Sequence, residues 1–376
     1  MEYRLISTDD HFVEPRDLWQ SRVPSAMREE APRVVREDDG YETWYMGDRR
    51  VRPVGYSSLA GTDKSAGFPK TYDDMRPGCY VAAARLADMD ADGIDAQVLY
   101  PNVAGLGGQG VLHITDPDVR LASVRAYNDG LAEWCAEAPA RLIPNCLIPM
   151  WDIELVPDEA RRAVGLGHRG IVFAGTPDAL GYPPIFDEYW DPLWGVAQEL
   201  DVPIALHIGG NAPTGAAPTM PMPKSIGGLG SVYTIAGNIN VMCNILFSGM
   251  LTRFPGLNIV SVESGVGWVP YLLETSDHQW DEYRMWEHGF PERPSDLFRS
   301  HIYTNLWFEK EGVKQRHYVG IDNIMWECDY PHPTGIWPDT QRYVDDVLGD
   351  VADDERQLIL WKNAVRLYHL PTSSDA

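Results

Sequence analysis

The sequence predicts an α/β protein, a (β/α)8 TIM barrel with loop insertions capping its C-terminal face. Three observations point there. Short apolar runs suited to buried strands alternate with helical patterns along the chain, and that alternation marks a parallel sheet. Roughly eight such units occupy 376 residues, a length that α/β barrels with insertions reach as one unit. No G-x-x-x-x-G-K-[ST] occurs and no G-x-G-x-x-G is read as following a strand, so an open nucleotide-binding sheet loses its main support. Residues 1–376 therefore read as a single domain, with a cap insertion at about 20–80 and an active-site loop at about 209–230.

Leu5-Ile-Ser-Thr-Asp9-Asp10-His11 reads as a short buried strand ending in an Asp-x-His pair. Side chains two apart on a strand point the same way, so Asp9 and His11 form half of a metal site. The irregular stretch from about 20 to 80 is longer than a tight connection needs and reads as a cap over the site's mouth; a β-hairpin insertion without a role is the competing reading. Residues 81–94 fit a helix and 96–100 a strand ended by Pro101. Val124, Tyr127, Leu131, Trp134 and Cys135 recur at helical spacing.

Strands at 142–149, 170–174 and 202–207 follow, with helices at 158–164 and 189–200 between them. The Gly/Pro/Met-rich loop 209–230 is unsuited to a core and is placed over the same mouth. Beyond it come an apolar helix from Ile235 to Met250, a strand at 257–263, a helix beginning near Trp268, a strand at 301–304 and a helix at 313–320. The last strand is 323–329, and helices at 339–348 and 353–367 close the chain.

Chemistry in a barrel sits where strands end. Asp9, His11, His207, Glu263 and Asp329 each end an otherwise apolar strand, a costly place for a charge unless it is paired or metal-bound. Two histidines with two or three carboxylates suit a divalent Zn, Mn or Fe ion, one or two per chain. His332, three residues past Asp329, is placed to hydrogen-bond a ligand carboxylate or the substrate. His278 is a further candidate ligand only if its helix breaks, because a regular helix carries it roughly 15 Å from the strand end.

Composition limits the partners. A formal charge of −24 opposes nucleic-acid or anionic-membrane binding. No 18-residue apolar run and no signal-like N-terminus is present, so neither a membrane span nor secretion is expected. Five widely spaced cysteines without a C-x-x-C suit free thiols in a reducing cytoplasm.

Asp9-x-His11 with Glu14-Pro15, Arg85-Leu-Ala-Asp-Met-Asp-Ala-Asp-Gly-Ile-Asp, Leu206-His207-Ile-Gly, Glu263-Ser-Gly-Val-Gly-Trp-Val-Pro, Asp329-Tyr-Pro-His332 and Asn363-Ala-Val-Arg-Leu-Tyr resemble, in order and spacing, the amidohydrolase superfamily. More narrowly they resemble its aminocarboxymuconate semialdehyde decarboxylase-like branch, which includes γ-resorcylate decarboxylase. The resemblance runs from residue 5 to about 370. It implies a TIM barrel in which Asp9, His11, His207 and Asp329 hold a divalent metal, and decarboxylation or hydrolysis of a small or medium organic acid. Because that branch dimerises, a homodimer is expected.

Two departures qualify the match. Glu263 stands where the decarboxylases carry His, and it serves either as the catalytic proton carrier or as a second-metal ligand. Strand four (Ile171-Val-Phe-Ala-Gly175) lacks the Lys that bridges the superfamily's binuclear hydrolases. The rival reading is a non-haem dinuclear iron monooxygenase on the same barrel, with Glu263 as a ligand.

Overall fold

The computed structural model describes residues 2–62, 67–210 and 224–372, with backbone only for 224–227. Eight parallel strands form the barrel, in the order β1 (Ile6–His11), β5 (Ala96–Tyr100), β6 (Leu142–Cys146), β7 (Gly170–Val172), β8 (Ile204–His207), β9 (Ile259–Val262), β10 (Ile302–Leu306) and β11 (Ile324–Trp326). Every residue of these strands is buried, as expected when helices cover one face and the barrel core fills the other. The ring closes through a parallel bridge between Asp10 and Tyr330, where His11 N–H donates to Tyr330 O at 2.6 Å and Asp329 N–H to Asp9 O at 2.8 Å. The first and last metal-candidate strands are thereby held side by side.

Buried Arg85 staples this seam. Its guanidinium donates to His11 O at 2.7 Å, Gly78 O at 2.6 Å and Gln97 Oε1 at 3.1 Å, and lies 4.2 Å from the Tyr330 ring centroid. A buried cation is tolerated because carbonyls and a ring face satisfy it. Gly78 is required at this spot, since an added Cβ would fall 2.1 Å from Asp88 Oδ2 and 2.7 Å from the Tyr330 hydroxyl oxygen.

The insertion after β1 carries a three-stranded antiparallel sheet, β2 (Arg33–Arg36), β3 (Glu42–Met46) and β4 (Arg49–Pro53). Trp44 packs edge-on against Trp19 at 5.2 Å, and Glu37 gathers Arg50, Thr43 and Tyr45. Further along, Leu59 and Ala60 donate their N–H groups to Pro331 O. The insertion is thus anchored to the loop behind the last barrel strand.

Some element boundaries differ from the sequence expectation. Of the loop expected at 209–230, residues 211–223 lie outside the described ones, and Lys224–Gly230 is already helical, because the helix runs from Lys224 to Leu246. This helix is long and apolar enough to cross a membrane by length and composition alone. Its C-terminal half, however, packs Val241, Met242, Ile245 and Leu246 into the barrel core. Gly105–Gly110 does spell G-x-G-x-x-G, yet it forms a loop stitched by Gln109, which accepts from Gly107 N–H and donates to Gly209 O. His301 ends a helix rather than opening a strand.

Candidate metal centre

The structure brings Asp9, His11, His207, Glu263, Asp329 and His332 together at the C-terminal end of the barrel. Their candidate ligand atoms form three overlapping groups, each within 4.8 Å: Asp9/His11/His207, His11/Asp329/His332 and Asp9/Glu263/Asp329. His11 Nε2 lies 3.5 Å from Asp9 Oδ1, 3.2 Å from Asp329 Oδ1 and 3.3 Å from His207 Nε2. His207 Nε2 is 3.3 Å from the same Asp9 oxygen.

Each imidazole has one nitrogen occupied elsewhere. His11 Nδ1 faces Pro101 O at 3.3 Å and His207 Nδ1 faces Ile208 O at 2.7 Å. With the proton on Nδ1 donated to those carbonyls, both Nε2 lone pairs point at one another and at Asp9, an arrangement that a cation between them would stabilise. Both carboxylate oxygens of Asp9 are buried without a hydrogen-bond partner among the described residues. Buried charge left in that state is unfavourable, so the donor set fits a divalent cation.

The carboxylate side is built differently. Glu263 and Asp329 follow β9 and β11 in left-handed conformation, each with φ of 53°. That region is strained for residues with a Cβ, and such strain concentrates at functional sites. Glu263 Oε2 stands 3.8 Å from His207 Nδ1. Burial, then the charges of Asp329 and Asp9, push the Glu263 carboxyl well above its usual range. Asp329 goes the other way: burial opposes its charge, but His332 and His11 overcome that and hold it ionised. Burial and the neighbouring His332 lower His11 to about 4. Burial also disfavours the His207 cation, but Asp9 and Asp329 more than offset it, so His207 is raised.

His332 lies parallel to His11, with ring centroids 3.5 Å apart, and its Nδ1 is 3.0 Å from Asp329 Oδ1. Its Nε2 has no partner among the described residues. A cavity of about 120 Å3 borders His332 and is walled by Leu59 and Gly61 of the insertion and by Trp337 of the loop after β11. It is about the size of a small ring or ring substituent.

His278 is a correction. It sits exposed within the unbroken helix Val269–Glu282 and joins none of the ligand groups. Two cations of the insertion, Lys64 and Arg76, could by residue type meet a substrate carboxylate, although surface solvation is the better reading of each; Lys64 lies outside the described residues, and Arg76 is bound bidentately by Asp88. Sequence reasoning missed three supports. Glu14 accepts the N–H groups of Asn102, Val103 and Ala104 and so ties the end of β1 to the loop after β5. Buried Glu327 accepts the Glu263 N–H at 3.3 Å. The Thr334 hydroxyl lies within hydrogen-bonding distance of both Glu263 Oε1, at 3.1 Å, and Asp329 Oδ2, and its single proton serves one of them at a time. Only Glu14 carried a signal, the Glu-Pro that follows Asp-x-His.

A barrel with this ligand cluster at its C-terminal mouth defines a metal-dependent enzyme class, and comparison with known proteins supplies the family. The family model described as Amidohydrolase matches residues 16–370, and the chain belongs to that family. The chain is 28% identical over 267 residues to γ-resorcylate decarboxylase of Rhizobium sp. (strain MTP-10005), covering 66% of this chain and 76% of that protein. An amidohydrolase structure from Mycobacterium avium subsp. paratuberculosis K-10 superposes with a TM-score of 0.77 at 21% identity, over 98% of this chain and 100% of that one. The dihydroxybenzoic acid decarboxylase of Polaromonas sp. JS666, solved with manganese and 2-nitroresorcinol, superposes with a TM-score of 0.61 at 20% identity, over 100% and 99% of the two chains.

Proposed function

We propose that this chain is a manganese-dependent decarboxylase of a hydroxylated aromatic or similar organic acid, with one ion per chain held by Asp9, His11, His207 and Asp329. The observation that carries this reading is the convergence of those four side chains, with the Asp9 carboxylate oxygens buried and without a hydrogen-bond partner among the described residues and Glu263 alongside. The similarity to γ-resorcylate decarboxylase favours decarboxylation over hydrolysis. A bound divalent ion would orient the substrate's carboxylate and neighbouring oxygen and draw charge from them.

Decarboxylation breaks a C–CO2 bond, releases CO2 and returns one proton to the carbon left behind. Glu263 supplies that proton: its carboxyl stands beside the proposed ligands, 3.8 Å from His207 Nδ1 and hydrogen-bonded to Thr334. His332 Nε2, free of other partners among the described residues, hydrogen-bonds a substrate oxygen. The cavity between Leu59 and Trp337 takes a ring substituent. The whole chain acts as one catalytic domain with residues about 20–80 as its cap, in the cytoplasm and as a homodimer.

The test is elemental analysis of protein purified without added metal, paired with CO2 release from a panel of ortho-hydroxybenzoates. About one manganese per chain with CO2 release is expected. Two irons per chain with oxygen uptake would overturn the reading in favour of the monooxygenase, which none of the relatives named above supports.

A further inference from the structure

Thr334 lies five residues beyond Asp329. The intervening loop folds back on itself: His332 N–H donates to Asp329 O at 2.9 Å, Gly335 N–H to His332 O at 3.1 Å and Ile336 N–H to Cys328 O at 3.1 Å. Gly335 permits this tight return, because an added Cβ would stand 2.4 Å from Asp329 O. The loop thereby delivers the Thr334 hydroxyl between two carboxyl groups that come from different strands, Glu263 after β9 and Asp329 after β11.

Among the described residues, Thr334 makes the only hydrogen bond to the Glu263 carboxyl group. The nearest imidazole nitrogen, His207 Nδ1, is 3.8 Å away and is engaged with Ile208 O. A glutamate side chain has three rotatable bonds, and fixing it costs up to about 2 kcal/mol of rotamer freedom. Proton delivery also fails steeply with misplacement, by about 100-fold for 1 Å. A single anchor on such a side chain is therefore expected to matter for rate.

We infer that Thr334 is a positioning residue, whose hydroxyl ties the Glu263 carboxyl to Asp329 and so holds it in register with the ligand cluster. This role rests on the reading above only in naming Glu263 as the proton carrier; the anchoring itself is a statement about structure. Thr334 is exposed, so its replacement leaves the core untouched.

The experiment compares T334V, which keeps the shape and removes the hydroxyl, with T334S, which keeps the hydroxyl, and uses T334A if T334V does not fold. Crystal structures of the manganese-loaded variants are expected to show the Glu263 carboxyl displaced in T334V and in place in T334S. Kinetically, T334V should lose about 10- to 100-fold in kcat with KM within about twofold, while T334S recovers kcat to within about threefold. Manganese content should be unchanged in both. An unmoved Glu263 in T334V overturns the inference, as does an unchanged kcat. Loss of manganese in T334V also overturns it, because Thr334 would then serve the ligand Asp329. If the wild-type protein releases no CO2 from any acid, the proposed reaction fails, whereas the crystallographic comparison still decides the anchoring.

Discussion

The two halves of the candidate metal centre are positioned by opposite means. On the β1 and β8 side the candidate ligands ride on extended backbone: Asp9 and His11 belong to one strand, His207 ends another, and each imidazole is turned by a carbonyl. On the β9 and β11 side both carboxylates have left the strand in left-handed conformation, at φ 53°. Extended backbone holds these side chains without a left-handed residue, although a register shift between Ser7 and Asp10 interrupts the pairing of β1 with β5 at Asp9. A left-handed turn costs of order 1–3 kcal/mol and must be over-determined by its surroundings. Here Glu327, Thr334 and the closing bridge between Asp10 and Tyr330 hold those turns.

Breaking the strained half should have the largest effect. Asp329→Ala on the proposed ligand set should lower manganese content from about one to below about 0.1 per chain by elemental analysis, with activity lost in proportion. Retained metal would show that Asp329 is not a ligand. Glu263→Gln should separate the two carboxylates, leaving metal content intact while kcat falls by about 100- to 10,000-fold. Loss of metal in that variant would instead make Glu263 a ligand.

The insertion offers a milder contrast, away from the metal. Hydrogen bonds from Arg50, Thr43 and Tyr45, set against a smaller cost of burial, hold Glu37 down at about 2, against 4.5 when unpaired. A depressed carboxyl stabilises the fold fully above pH 4.5 and loses that contribution as pH falls toward 2. Glu37→Gln should therefore cost about 1 kcal/mol at pH 7 in denaturant melting, and the gap to wild type should narrow from pH 4.5 downward. A gap that does not change with pH would mean that the Glu37 charge contributes nothing. The smallest effect is expected from His278→Ala, with metal content and kcat within about 1.5-fold of wild type, as for other exposed sites.

Legibility followed the same division. Asp9, His11 and His207 could be found because period-two strand geometry aims a polar strand end at the barrel mouth. Glu263 and Asp329 were found as ends of apolar runs, but the turn that aims them was invisible, since nothing in Val-Glu-Ser or Cys-Asp-Tyr announces a positive φ. Thr334 left no mark at all: one threonine on a loop looks like any other until the chain folds back on Asp329. His278 drew notice as a residue type, and an unbroken helix carried it to the surface. The insertion's antiparallel strands were foreseen only as a competing β-hairpin reading, because they are short and carry as many charged as apolar residues; the structure adds a third strand.

The sequence by itself determined the alternating barrel, its apolar strands and the polar residues that end them, because burial and periodicity are local properties that each segment carries alone. Tertiary structure decided which ends meet. Closure of β1 against β11 sets Asp9 and Asp329 together across most of the chain, and the returning loop sets Thr334 between Asp329 and Glu263. Those contacts depend on distances between segments remote in sequence, and only the packed barrel defines such distances.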